Sequence, residues 1–221
     1  MRHDRRAFRR GLLAALALLA LSAFAPTAVA QQLYEDFLFA VNNDRAAEVR
    51  TLLQRGVDPN TVDPDGDPAL VLAARAGYVA TADVLLAGRA AVNARNRYGD
   101  TALAIASLNG HLGVVKRLRA RGGEVNQPGW TALIYAATGG HDDIVRYLLA
   151  EGAEINAASP NGTTALMMAV REGRFATAEL LLSRGADPNK RNQNGASALD
   201  WARRSNDTEL VARLRRAGAR D

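Results

Sequence analysis

The chain contains no cysteine among its 221 residues. Disulfide bonds, thiolate metal sites, a cysteine nucleophile and a lipidated N-terminal cysteine are therefore all excluded. Aromatic residues make up only 5% of the sequence, whereas hydrophobic residues as a whole reach 48%. Because small and aliphatic side chains dominate, the composition favours close-packed helices over a β-sandwich.

The sequence also lacks an apolar run of the length of a membrane span, which needs about 20 residues. The apolar stretch at residues 11–25 is shorter, and it follows a strongly basic segment at residues 1–10. Small residues at Ala28-Val29-Ala30 come next. This three-part pattern predicts a cleaved signal peptide over residues 1–30 and a periplasmic location. An uncleaved anchor is the alternative; after cleavage we expect no stable membrane insertion.

The basic segment resembles the twin-arginine export motif, since Phe8 stands two places after Arg5-Arg6. That route would indicate a bacterial host, and the general secretion route is the alternative. Residues 1–30 contain five arginines and one aspartate, so their removal lowers the formal net charge from +5 to +1. The sequence pI of about 10.1 thus belongs largely to the signal segment, and we predict no nucleic-acid partner.

A glycine followed closely by Ala-Leu recurs along the rest of the chain at spacings of 33, 30, 33 and 33 residues. The glycines of this series are Gly66, Gly99, Gly129, Gly162 and Gly195. Such a period is typical of a repeat protein. We therefore predict one repeat domain at residues 31–221. Its six units cover approximately residues 31–61, 62–94, 95–126, 127–157, 158–190 and 191–221.

Each unit has the pattern of two short helices separated by a turn. Hydroxyl residues precede the first helix and are expected to cap it; they are Thr101, Thr131, Thr164 and Ser197. Glycine usually ends each helix, where a left-handed backbone is expected. Asp44, Arg89 and Asn206 replace glycine at three of these positions, and we expect strain at Arg89.

The repeated segments include GDTALAIASLNGHLGVVKRL, GWTALIYAATGGHDDIVRYLLAEGAEIN and GTTALMMAVREGRFATAELLLSRGADPN. They resemble the ankyrin repeat, and the resemblance covers nearly all of residues 33–221. It implies an all-α solenoid of about six helix-turn-helix units with short β-hairpin turns. Residues 33–60 lack the hairpin signature and residues 207–217 are highly charged, as expected of terminal capping units.

The same resemblance implies a non-catalytic protein-binding module, whose hairpins and first helices form a concave groove. The partner is then an unidentified protein, and we expect a monomer without a cofactor. The positions that the resemblance assigns to partner binding are Arg75, Arg97, Tyr98, Asp100, Leu108, Asn109, Trp130, Thr138 and Arg171. Other functions compatible with the pattern are an accessory or protective factor, such as an immunity protein or a stress-enzyme helper, and a secreted effector binding a host protein.

One link between units is three residues shorter than the others: VNQPGWTAL stands where the preceding unit has VNARNRYGDTAL. We expect a truncated hairpin and a notch lined by Tyr98, Leu108 and Trp130. Tyr and Trp are residue types that often anchor interfaces. The alternative is that Trp130 folds back over the space of the missing residues. Tyr135 and Trp201 fall at inward helix positions and are predicted to be core.

No residue pattern predicts catalysis or metal binding. His111 and His141 follow the helix-ending glycines, which favours a structural role, and no nucleophile stands at a supportive spacing. Residues 63–67, DPDGD, place aspartates at alternate positions, but the spacing of their glycine departs from that of an EF-hand loop. An enzyme is therefore not expected.

Overall fold

The computed structural model describes residues 28–221. The predicted signal peptide lies outside these residues except for Ala28 to Ala30, which belong to the first helix, α1 (28–42). The other helices are α2 (Ala46–Gln54), α3 (Ala69–Ala76), α4 (Val79–Ala87), α5 (Ala102–Leu108), α6 (Leu112–Ala120), α7 (Ala132–Gly139), α8 (Asp142–Ala150), α9 (Ala165–Arg171), α10 (Phe175–Ser183), α11 (Ala198–Arg204) and α12 (Thr208–Arg216).

The helices stack in two layers. The inner layer contains α3, α5, α7, α9 and α11, and each of these packs on the next. The outer layer runs from α2 through the even-numbered helices, and from α4 onward each outer helix also packs on the inner helix of its own unit. The expected all-α solenoid is thus confirmed. No helix within residues 28–221 combines the length and the apolar character needed to cross a membrane.

Small side chains allow the inner helices to approach one another closely. One alanine recurs at the same place in each inner helix and is completely buried every time; these residues are Ala73, Ala106, Ala136, Ala169 and Ala202. Buried leucines and β-branched residues of the outer helices complete the core, as at Ile144, Val145 and Leu148. Because each unit buries its apolar surface only against its neighbours, stability is shared along the stack.

The predicted helix caps are confirmed. The side-chain oxygens of Thr101, Thr131 and Thr164 accept hydrogen bonds from the first turns of α5, α7 and α9. Ser197 does the same for α11, and the Asp200 carboxylate accepts a hydrogen bond in return from the Ser197 backbone N–H, at 2.8 Å. This bond and the one from the Ser197 hydroxyl lower the pKa of Asp200.

The residues that replace glycine at the helix ends adopt the expected left-handed backbone. Asp44, Arg89 and Asn206 have φ values of 51°, 68° and 55°, and they are the non-glycine residues with positive φ in the described part of the chain. Asp and Asn tolerate this region better than other side chains do. Arg89 therefore carries the backbone strain that the repeat pattern predicts.

Asparagine side chains tie each unit to the next. The Oδ1 atoms of Asn60, Asn93 and Asn126 accept hydrogen bonds from the backbone N–H groups of Ala91, Glu124 and Glu154 at 2.7, 3.0 and 2.9 Å. Asn156 and Asn189 repeat this contact further along. We call this series the asparagine ladder.

His111 and His141 have the structural role that their positions predict. Nε2 of His111 lies 3.1 Å from the carbonyl oxygen of Arg75, and Nε2 of His141 lies 2.9 Å from that of Leu108. Both carbonyls belong to the C-terminal end of the preceding inner helix, where carbonyl oxygens have no N–H partner within the helix. In the following unit, Nε of Arg174 bonds the Thr138 carbonyl in the same way, at 3.1 Å.

Candidate functional site

Short hairpins project from the stack before the inner helices, and we call them fingers. Isolated bridges close three of them, at Val62–Pro68, Arg95–Thr101 and Ala158–Thr164. The polar residue that opens each finger folds the turn, because its side chain accepts backbone N–H bonds. Asn96, for example, accepts from Tyr98 and Asp100, both at 3.0 Å. This is the Asx-type turn expected of such residues.

The fourth unit has no finger. The connection from α6 to α7 ends with residues 126–131, which we call the short link and which contain none of the bridges found in residues 28–221. Gly129 adopts a φ of 110°, which lets the chain turn without the missing residues. The truncated hairpin expected from the spacing is therefore present.

The remaining fingers form two pairs. Arg97 bridges to Asp65 on the preceding finger at 3.3 Å. Gln193 joins the last two fingers, because its backbone N–H and its Nε2 donate to the carbonyl oxygens of Asn161 and Pro160 at 2.9 and 2.7 Å. The two pairs are separated by the short link. We call the space between the tips at Tyr98 and Asn161 the finger gap.

Arg95 lies where the third finger meets the short link. Its Nη1 donates to the carbonyl oxygen of Gly99 at 2.9 Å, and its Nη2 donates to that of Pro128 at 3.1 Å. The exposed guanidinium thus joins the third finger to the short link. The sequence interpretation missed this residue. The sequence did contain one indication of its role, because an arginine, Arg191, stands at the equivalent position of the sixth unit. Arg191 binds the Gly195 carbonyl at 2.7 Å.

Tyr98 stands at the tip of the third finger with 71% of its surface exposed, more than any other large hydrophobic side chain in residues 28–221. The guanidinium carbon of Arg97 lies 4.9 Å from the centre of its ring. This is cation–π geometry. The ring and the guanidinium therefore present one joint surface to solvent.

Trp130 is partly buried and packs on the core. Its ring lies 5.9 Å from that of Tyr135, at an interplanar angle of 32°. The packing corresponds to the alternative in which Trp130 covers the space of the missing residues, and its outer part remains exposed. It therefore contributes to the surface beside the finger gap without projecting from it as Tyr98 does.

The prediction that Tyr135 is core is wrong. Its ring is half-buried, and its hydroxyl donates to Oδ1 of Asp100 at 2.7 Å. Burial and the neighbouring carboxylate both raise the pKa of Tyr135. The Asp100 side chain, assigned to partner binding, is thus engaged within the chain. Trp201 is also only partly buried, although it packs on the core, and the Arg171 guanidinium lies 5.9 Å from its ring.

Leu108 does not line the same space as Trp130 and Tyr98. It ends α5, whose seven residues rise about 9 Å from Ala102 to Leu108. Leu108 and its neighbour Asn109 therefore flank the groove at the far end of the helix. Thr138 lies at the equivalent end of α7, where its hydroxyl donates to the Ile134 carbonyl at 2.8 Å.

Arg75 and Arg171 lie on either side of these positions, and each has an acidic partner. Nη2 of Arg75 bonds the buried Asp67 carboxylate at 2.6 Å, and Asp67 also accepts from Asn96 at 2.9 Å. Arg171 pairs with Glu172 at 2.8 Å. Both arginines are exposed but held in place.

Residues 28–221 contain no group of three or more His, Asp or Glu side chains arranged to hold a metal ion. The two imidazoles are committed to backbone carbonyls. The arrangement of fingers and helix ends is instead a surface, open along its length and lined by residues held by neighbouring units.

Comparison with known proteins agrees with this architecture. A family model described as ankyrin repeats (3 copies) matches residues 37–128 and again residues 120–192. A comparison with curated proteins finds no match. Ankyrin repeats generally mediate protein–protein interaction, and domains built from them are typically non-catalytic. Because the matches extend over most of the chain, this protein belongs to the ankyrin repeat family.

Proposed function

We propose that this chain is an exported, non-catalytic adaptor that binds a protein partner through its concave face, with the finger gap at the centre of the site. The observation that carries the proposal is the exposure of Tyr98 on a finger held at both sides. An aromatic ring exposed to 71% is costly to leave in water, and burial against a partner would recover that cost.

The composition of the site supports the same conclusion. Tyr, Trp and Arg are the residues that most often dominate binding energy, and Arg97, Tyr98 and Trp130 lie at or beside the gap. The fingers are linked in pairs by Asp65–Arg97 and by the bonds of Gln193. A surface held in this way loses little conformational entropy on binding.

A capture experiment tests the site. Purified wild-type protein and the Tyr98→Ala variant are immobilised, a periplasmic extract is passed over both, and bound proteins are identified by mass spectrometry. Phe175→Ala is the matched control, because Phe175 is exposed to 49% but begins an outer helix away from the fingers. We expect a protein retained by wild type and by Phe175→Ala and lost from Tyr98→Ala. Retention by all three would refute the proposed site.

The proposal that the protein is exported rests on residues 1–30, and it has a separate test. We expect the mature protein to be recovered from the periplasm with Gln31 as its first residue, which fractionation and N-terminal sequencing would determine. Replacing Arg5 and Arg6 with lysine should block export if the twin-arginine route is used. The same change at Arg9 and Arg10, which also keeps the positive charge, is the control for lysine replacement outside the motif. Export unaffected by the first change would indicate the general secretion route.

A further inference from the structure

We propose that the finger gap accepts an extended acidic segment of the partner, whose carboxylates pair with Arg95 at the gap and with Arg174 beyond it. This inference rests on the proposed function and deepens it, because it names the chemistry that the site recognises. It follows from the shape of the fourth unit and from the way charges are paired around it.

The fourth unit is the lowest part of the concave face. It has no finger, and the end of its inner helix carries Thr138 and Gly139 where the neighbouring units carry Leu108 and Asn109 or Arg171 and Glu172. The finger pairs stand on either side. A channel between two finger pairs suits a single extended chain, which is thinner than a helix of about 10–12 Å across with its side chains.

The carboxylates along this channel are already partnered within the chain. Asp65 pairs with Arg97 at 3.3 Å, and Glu172 pairs with Arg171 at 2.8 Å. Asp100 accepts the Tyr135 hydroxyl at 2.7 Å. A basic partner would have to compete with each of these contacts.

Two guanidinium groups along the same channel have no acidic partner among the described residues. Arg95 bonds the carbonyl oxygens of Gly99 and Pro128, and Arg174 bonds that of Thr138. Neither forms an ion pair in residues 28–221. Their contacts fix the position of the charge without neutralising it, so an incoming carboxylate would find cations already oriented.

A single-stranded nucleic acid is the other macromolecule that cations and an aromatic ring can bind. The pairing of charges favours a protein segment, because nucleic acids are held by a continuous basic track along the phosphates, whereas here Arg97 and Arg171 are paired with acids. A nucleic acid therefore serves as one arm of the test.

Fluorescence anisotropy of three labelled probes tests the inference with the full chain. The probes are a peptide of repeating Glu-Gly-Ser, the same peptide with Gln for Glu, and an oligothymidylate. We expect binding of the Glu peptide that weakens with added salt, and no binding of the Gln peptide. Arg95→Gln should weaken binding of the Glu peptide about tenfold. Arg191→Gln is the matched control, since Arg191 makes the equivalent finger contact away from the gap.

Each other outcome contradicts the inference. Equal binding of the Glu and Gln peptides, or wild-type affinity in Arg95→Gln, would overturn it, as would binding of the oligothymidylate alone. Thermal unfolding of each variant shows whether its fold is intact.

If Arg95→Gln proves to be unfolded, Arg174→Gln provides the same test on the other side of the channel. If the Glu peptide fails while Tyr98→Ala still abolishes partner capture, the acidic segment is refuted and the proposed function stands.

Discussion

The carbonyl oxygen of Leu108 lies 2.6 Å from the place that a Cβ atom on Gly139 would take. The neighbouring His141 ring is closer still, at 2.4 Å. The ends of α5 and α7 therefore meet with no room for a methyl group. This contact accompanies the short link, so the third and fourth units meet closely at the helix ends, while on the finger side Arg95 bonds the Pro128 carbonyl of the link.

Replacing Gly139 with alanine should lower the free energy of unfolding by roughly 1–3 kcal/mol, because the backbone of α5 cannot move away without disturbing the core. Chemical denaturation measures the change. Gly113→Ala is the matched control: its added Cβ meets only a side-chain methyl of Val79, at 3.2 Å, and no backbone atom. There the higher helix propensity of alanine should offset the contact. Equal destabilisation by both variants would contradict the close approach.

Arg89→Gly should stabilise the protein. The left-handed backbone at φ 68° costs an L-residue about 1–2 kcal/mol, and glycine removes this cost. The comparison is Arg121→Gly, since Arg121 ends α6 at an ordinary φ of −104°, where glycine only adds entropy to the unfolded chain. Thermal unfolding should therefore shift upward for the first variant and downward for the second.

Asn126→Ala should destabilise the junction between the third and fourth units. It removes two hydrogen bonds, from Nδ2 to the Gly152 carbonyl at 2.9 Å and from the Glu154 N–H to Oδ1 at 2.9 Å. We expect a loss of roughly 1–3 kcal/mol. Asn126→Asp keeps the acceptor and should lose less. Urea titration followed by circular dichroism measures both, and equal losses would show that the donor contact dominates.

Trp130→Ala and Tyr98→Ala should differ in stability. Trp130 packs on the core and on Tyr135, so its removal should cost roughly 2 kcal/mol or more. Tyr98 is mostly exposed, and its removal should change stability by less than about 0.5 kcal/mol. Denaturation of the two variants tests this. If the Trp130→Ala protein were as stable as wild type, Trp130 would instead be a projecting residue that contacts the partner.

Ionisation of Tyr135 should lower the free energy of unfolding at alkaline pH. Burial and the Asp100 carboxylate raise the pKa of Tyr135 in the folded chain, whereas an unfolded tyrosine titrates near about 10. The stabilisation is therefore complete below the unfolded pKa and is lost as pH rises through the folded pKa. Tyr135→Phe should flatten the alkaline limb of the stability profile. Absorbance titration should show one fewer late-ionising tyrosine in this variant; an unchanged titration would refute the raised pKa.

Periodicity made most of the fold predictable. Asp44, Arg89 and Asn206 could be assigned a left-handed backbone from the sequence alone, because each occupies the place of a repeated glycine. The cap residues Thr101 and Thr131 followed in the same way. A feature repeated in several units is specified several times over, so an exception in one unit does not hide it.

The site was less predictable because it lies where the repeat breaks. The packing of Trp130 on Tyr135 depends on the conformation of the short link. This conformation has no counterpart in another unit from which it could be predicted. The contact of Arg95 with the Pro128 carbonyl exists only because residues are missing beside it. The separation of Leu108 from Trp130, by contrast, followed from the length of α5 and could have been anticipated.

The asparagine ladder gives the molecule a direction. In every rung the side chain belongs to the earlier unit and the backbone N–H to the later one, as from Asn60 to Ala91. A chain emerging from the ribosome therefore meets each acceptor already in place. Shortening the protein from its C-terminal end leaves only an exposed amide side chain, which water satisfies. Shortening it from the other end removes the acceptor of a backbone N–H, so the early units act as templates for those that follow.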